Sequence, residues 1–215
     1  MPTILGAPPV VPVLLSQRAA PFDDPDWMFE PKYDGVRAFV HASTSECQIR
    51  TVQELSLEAL PELRGRVAGV LGMRDVILDG QIVSLDPKGR PVLRDLLKGR
   101  GFVAFAAFDL LWLDGEDLRP LPLGERKRRL AELLPSDTGP LYKVFTLAEH
   151  GRALFEATRK MELDGVVAKR LADPYAPDTR WYAIRNPAYR QRESWGELAP
   201  PRRRAAGVER GMAET

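Results

Sequence analysis

Cysteine is nearly missing from this sequence. One residue, Cys47, stands among 215, which excludes a disulfide framework and a cysteine-based metal site within one chain. Cys47 reads as a small, partly buried side chain, and such scarcity suits a reducing compartment. Long apolar runs are missing too, since none reaches the roughly 20 residues that span a bilayer. Met1–Leu15 is apolar but broken by prolines, and it lacks the basic start and unbroken core of a signal peptide. The expectation is a soluble protein of the cytoplasm. Nor is there an excess of one charge: 31 Lys and Arg against 30 Asp and Glu leave +1. Any binding to nucleic acid would rest on a local patch rather than on the field of the whole chain. No internal repeat is present.

What is present suits one domain of good size or two small ones, at 44% hydrophobic residues. A core of that size needs no covalent staples. Pro8, Pro9, Pro12 and Pro21 mark residues 1–20 as an extended lead-in. Trp27–Glu30 then runs into Lys32-Tyr33-Asp34-Gly35. Val36–His41 predicts a strand, 42–46 a hairpin loop and Cys47–Thr51 the return strand. Residues 55–70 carry leucines and valines at helical spacing, with Pro61 near the helix start. Val76–Leu85 is a second strand region, broken at Asp79-Gly80, and a turn at 86–89 leads to a short helix over 92–98. Phe102–Leu113 predicts a buried strand ending at the turn Asp114-Gly115. Residues 123–134 form an amphipathic helix with Glu125, Arg126, Lys127, Arg128 and Arg129 on its wet side. Residues 147–161 predict a further helix, and 165–168 and 181–185 two further strands. After Asn186 the chain turns polar and basic, and a poorly ordered tail is expected from about residue 195. Strands and helices mix without a βαβ rhythm, which predicts an α+β domain with antiparallel sheets.

The first feature with chemistry is Lys32-Tyr33-Asp34-Gly35, followed by Arg37. A lysine amine is nucleophilic only when neutral, and with an ordinary pKa of about 10.4 roughly one in two thousand is neutral at pH 7. Burial, nearby cations or a metal lower that value. Gly35 removes a Cβ where backbone would approach a ligand. Arg37, on the same strand face as Gly35, presents a fork suited to phosphate.

More patterns follow in fixed order. They are Phe29–Ala38 around Lys32, Leu78-Asp79-Gly80-Gln81-Ile82-Val83, the aromatic run Phe105–Gly115, Asp164-Gly165-Val166-Val167-Ala168-Lys169, and Trp181-Tyr182-Ala183-Ile184-Arg185. With these the sequence resembles the ATP-dependent DNA ligases of the lysine-nucleotidyltransferase superfamily, closest to bacterial end-joining ligases, from near Pro9 to about Arg190. The resemblance implies a nucleotidyltransferase (adenylation) fold over residues 21–190, with 191–215 as a basic tail. It implies ATP and Mg²⁺ (or Mn²⁺) as cofactors and nicked duplex or strand ends of DNA as partner, with nucleoid association. Lys32 would carry AMP. Glu30 would accept the adenine amino group, Phe108 would stack on the base and Gln81 would face the ribose. Lys169 would also contact the nucleotide. Arg37 and Arg185 would balance phosphate charge, and Asp164 would hold the divalent ion.

The sequence departs from the family at charged positions. Gln81 and Asp164 stand where glutamates are usual, and Ala183 and Arg185 where lysines are usual. Arg50-Thr51 replaces a Ser-Arg pair with the arginine out by one place, which on a strand reverses its face. Residues after Arg190 are too few for the OB-fold barrel that follows this domain in family ligases. Two readings follow: a ligase core that seals nicks in repair, with another repair protein completing it, or a catalytically impaired relative that binds nucleotide or DNA as a repair accessory. An RNA-end ligase is a third, weaker one.

Overall fold

A computed structural model describes residues 9–189, apart from 58, 73 and 137; the basic tail expected at 191–215 lies outside them. Three long strands carry apolar side chains on both faces and form the centre of the larger sheet: β3 (Val36–Ala42), β5 (Val76–Leu85) and β6 (Phe102–Leu113). The order is β4 (Cys47–Thr51), β3, β5, β6, β7 (Glu116–Asp117), with β8 (Leu141–Lys143) also pairing with β6. The second sheet runs β1 (Leu15–Gln17), β11 (Trp181–Arg185), β10 (Gly165–Arg170), β2 (Asp24–Pro31), β9 (Leu147–Glu149). Pairing is antiparallel except for β1 with β11 and β8 with β6. This is the expected α+β arrangement.

The outer face of the larger sheet is covered by α1 (Leu60–Leu71), α2 (Leu93–Leu97) and α3 (Leu123–Leu133). Leu63, Val67, Leu93, Leu96 and Leu130 pack there against Val40, Leu78, Ile82 and Phe105. Pro61 sits in the first turn of α1, where a missing N–H removes no helical bond. The second sheet carries α4 (Gly151–Lys160), with Leu154 and Phe155 against Phe29, Val166 and Ile184. A third cluster, including Val13, Phe39, Tyr175 and Trp181, lies between the sheets.

Four local features differ from expectation or refine it. Asp79-Gly80 does not break β5. Asp79 pairs with Asp109 and Gly80 with Ala107, so Phe108 is an extra residue on β6, and a bulge of this kind re-aims a side chain. Residues 147–149 are strand, not helix, because β2 offers its edge to them. On α3, Arg126 and Lys127 are not on the wet side. Arg126 is completely buried against Asp109, and the Lys127 side chain is 8% exposed against Glu30. Finally, Gly35 makes room for protein rather than ligand: a Cβ there would lie 2.3 Å from the Ile82 carbonyl oxygen. The Asp114-Gly115 turn has φ of 47° and 91°, the left-handed pair that a two-residue hairpin between β6 and β7 demands. Among the described residues no helix is long and apolar enough to cross a membrane.

Candidate nucleotide cleft

Strand alternation sets the inner face of the second sheet. Val167 pairs with Glu30 and with Ala183, and Lys169 pairs with Met28. Successive strand residues point to opposite faces, so Glu30, Val167 and Lys169 share one face while Phe29, Val166 and Ala168 pack against α4. The larger sheet answers with Arg37 opposite Gln81 and with the bulged Phe108. Between the sheets lies a cleft lined by Glu30, Lys32, Tyr33, Arg37, Gln81, Phe108, Val167, Lys169 and Trp181. It opens into a wider groove that adds Asp34, Gln53, Asp164 and Arg185 to Lys32, Arg37 and Gln81.

Lys32 follows directly on β2. Its backbone N–H donates to the Gly165 carbonyl at 2.8 Å, which brings the start of β10 alongside. There the Lys32 ammonium pairs with Asp164 Oδ2. The two residues are 132 positions apart in the chain, and they meet where the cleft joins the groove. A lysine amine beside a carboxylate can exchange its proton, and a phosphate entering the groove would meet both.

At the inner end, Glu30 is 2% exposed. It pairs with Lys127 from α3 and, at 2.7 Å, with Lys169. The Lys169 ammonium also lies 4.3 Å from the Phe108 ring centre and 4.0 Å from that of Trp181, within cation–π range. Burial pushes Lys169 down to about 8, opposed by the charge of Glu30 and assisted by that of Lys127. Burial, then the Glu30 charge, raises the Tyr33 phenol above its ordinary value.

Arg37 is held by a different set. Its guanidinium makes a two-bond fork to buried Asp79, at 3.1 and 2.6 Å, and donates to the Val13 carbonyl at 2.5 Å. The Tyr175 hydroxyl donates to the same Asp79 at 2.7 Å. Burial works against the charge of Arg37, but Asp79 more than offsets it, so the group is held above its ordinary value. It stays cationic at any working pH. Gln81 donates from Nε2 to the Gly35 carbonyl at 3.0 Å, which leaves its amide oxygen as an acceptor. Arg185 is exposed at the rim of the groove, and Ala183 is completely buried. Arg50 bonds Gln48 and lines neither cavity.

The sequence residues Glu30, Lys32, Arg37, Gln81, Phe108 and Lys169 are thus brought to one cleft, and Asp164 and Arg185 to the adjoining groove. Sequence reasoning missed Lys127, Asp79 and Tyr175. A signal existed for the first two: Lys127 adjoins a leucine stripe at Leu123 and Leu130, and Asp79 is an acid in an otherwise apolar strand.

Comparisons with known proteins agree with this architecture. Among solved structures, a mycobacterial DNA ligase D complexed with ATP is similar at a TM-score of 0.69 and 30% identity, over 81% of this chain and 60% of that one. The ligase domain of LigD from M. tuberculosis is similar at 0.68 and 32%, over 80% and 58%. The fold is therefore that of the adenylation domains of ATP-dependent DNA ligases. Residues 15–185 match the ATP dependent DNA ligase domain, and the chain belongs to that family. The multifunctional non-homologous end joining protein LigD of Pseudomonas aeruginosa is 38% identical over 157 residues, 70% of this chain and 19% of that protein. A probable DNA ligase of Saccharopolyspora erythraea is 35% identical over 167 residues, 70% and 31%. The chain spans about a fifth of the length of the end-joining proteins it matches.

Proposed function

We propose that this chain is the adenylation core of an ATP-dependent DNA ligase acting in end-joining repair. The observation that carries the reading is the meeting of Lys32 and Asp164 at the mouth of a cleft whose inner end holds Glu30, Phe108 and Lys169. Adenine would lie against Phe108 and Val167 with its amino group toward Glu30, and the ribose toward the Gln81 amide oxygen. The neutral Lys32 amine attacks the α-phosphorus of ATP. A P–N bond forms, the bond to the β-phosphate oxygen breaks, and pyrophosphate leaves. A 5′-phosphate oxygen of DNA then takes the AMP, and Lys32 departs as the free amine. Last, a 3′-hydroxyl attacks that 5′-phosphate, AMP leaves, and the nick is closed.

Arg37 would keep a fixed positive charge beside the phosphates, and Arg185 would add an exposed one at the rim. Among the described residues no three His, Cys, Asp or Glu side chains are grouped to hold a metal ion. A hard ion such as Mg²⁺ or Mn²⁺ takes one or two carboxylates and completes its shell with phosphate oxygens and water. Asp164 would hold it. Bound there, the cation would neutralise phosphate charge and draw the carboxylate away from the Lys32 ammonium, favouring the neutral amine. The adenylation unit would be residues 21–190 together with Val13 and β1, which close it against Arg37 and β11. A second DNA-repair protein, or further chain, would supply DNA contacts, and the work would take place at the nucleoid.

The test is covalent labelling. The chain is incubated with radiolabelled ATP and Mg²⁺ or Mn²⁺, denatured and run on a gel. Label retained in the wild type and lost in Lys32→Ala is expected. No label with either metal sinks the catalytic reading and favours the repair accessory that binds nucleotide or DNA without turnover.

A further inference from the structure

Lys127 belongs to none of the five ordered motifs. It lies on α3 one residue beyond Arg126, whose two bonds to Asp109 at 2.9 Å fix the helix against β6. Lys127 does not line the nucleotide cleft. It lines a second crevice with Leu130, Lys143 and Phe145, and Val144 is the wall common to both. From that side its ammonium reaches Glu30 Oε1, while Lys169 takes Oε2 at 2.7 Å. One buried carboxylate is thus held at both oxygens by cations from two different elements.

A carboxylate has about four lone-pair sites, so two ammonium contacts leave acceptor capacity. Glu30 Oε1, Lys127 Nζ and Lys169 Nζ are buried, and beyond these charge pairs none has a hydrogen-bond partner. Glu30 also lines the inner end of the cleft, so its remaining acceptor capacity lies where a base would arrive. A carboxylate held at one oxygen alone could turn about its terminal torsion, which is broad. Held at both, its plane is fixed.

We propose that Lys127 is a positioning residue for nucleobase selection, holding Glu30 so that a free lone pair of its carboxylate accepts the exocyclic amino group of adenine. This deepens the reading of the cleft as an ATP site and rests on it. Lys127 touches neither nucleotide nor phosphate, so its effect is confined to the base. The charge of the cluster serves the same end. Paired with two lysines, the Glu30 carboxylate acts only as acceptor, which rejects a base that presents an acceptor in place of the amino group.

The experiment is calorimetric binding of ATP and of purine riboside 5′-triphosphate, which lacks only the amino group, to the full chain without metal. Wild type is expected to prefer ATP by about tenfold, the value of a hydrogen bond to a charged group. Lys127→Met should cut that preference to about twofold while leaving the affinity for the analogue unchanged. Lys127→Arg, which can still reach Glu30, should restore most of it. An unchanged preference in Lys127→Met, or an equal loss for both triphosphates, overturns the proposal. Should Lys127→Met not fold, Lys127→Gln is read by the same ratio. A wild type that prefers ATP but takes no covalent label refutes the ligase reading and supports this one. A wild type that binds neither triphosphate, with or without Mg²⁺, refutes both.

Discussion

Replacing Glu30 by glutamine tests how the inner end of the cleft is held together. In the native chain the carboxylate is 2% exposed and faces Lys127 and Lys169, whose side chains are 8% and 1% exposed. Glu30→Gln keeps the shape and removes the charge, leaving two buried ammonium groups without the anion they share. Breaking a buried ion pair from one side costs about 3–5 kcal/mol, against a total stability of about 5–15 kcal/mol. The loss should also depend on pH in a defined sense. Burial holds Lys169 at about 8, against an ordinary 10.5. A lysine lowered in the folded state carries its full penalty below pH 8, and the penalty is relieved as pH rises from 8 toward 10.5, because the unfolded chain keeps its proton longer. That relief is worth about 3 kcal/mol. Glu30 is what holds Lys169 up, so in Glu30→Gln the lysine loses its proton at lower pH and its relief begins earlier. The deficit of the variant should be largest near pH 7 and smaller at pH 9.5. Urea unfolding followed by tryptophan fluorescence at both pH values measures it. A deficit under about 1 kcal/mol at pH 7, or one equal at both, would refute the reasoning.

Three further predictions follow from other contacts. Arg126→Met strips the fork from Asp109, both groups being completely buried, and should cost about 3–5 kcal/mol in urea unfolding; adding Asp109→Asn should recover part of it, and strict additivity would argue against the pair. Tyr175→Phe removes the hydroxyl that donates to Asp79 at 2.7 Å and should cost about 1.5–3 kcal/mol, while the phenol of the native chain, raised by burial and by Asp79, should fail to ionise in an ultraviolet titration where exposed tyrosines do. Asp164→Ala takes away the partner of Lys32 and should slow covalent labelling about a hundredfold, with more metal needed for half-maximal rate; labelling at the native rate would remove Asp164 from the site.

Much of the fold was legible because local pattern and tertiary demand coincide. Cys47–Thr51, Phe102–Leu113 and Trp181–Arg185 are strands at the bounds the sequence predicts, since β-favouring runs end there at turn residues. Where the two conflict, the sequence misleads. Leu147-Ala148-Glu149 favours a helix locally, but the open edge of β2 satisfies its backbone better. Arg126 and Lys127 look like members of a solvated basic run. Yet Arg126 follows Leu123 by three residues and precedes Leu130 by four, the spacing of the buried stripe itself. Nothing local says that an arginine there is core; Asp109, 17 positions earlier, does.

The site shows the same division, and one of its departures from the family pattern becomes intelligible through it. The order of motifs, Lys32 and Glu30 are readable one segment at a time. The partners that fix them are not, because Asp79 meets Tyr175 across 96 positions and Lys32 meets Asp164 across 132. Gln81 stands where a carboxylate is usual. Its amide N–H reaches the Gly35 carbonyl at 3.0 Å, a bond that a carboxylate, being acceptor only, could not make. Gly35 in turn lies so close to Ile82 that no Cβ fits. The amide therefore ties β5 to the turn that carries Lys32, while its oxygen remains an acceptor. Loss of charge at position 81 is exchanged for a firmer hold on the segment beside Lys32, so the substitution alone is no argument against an active site.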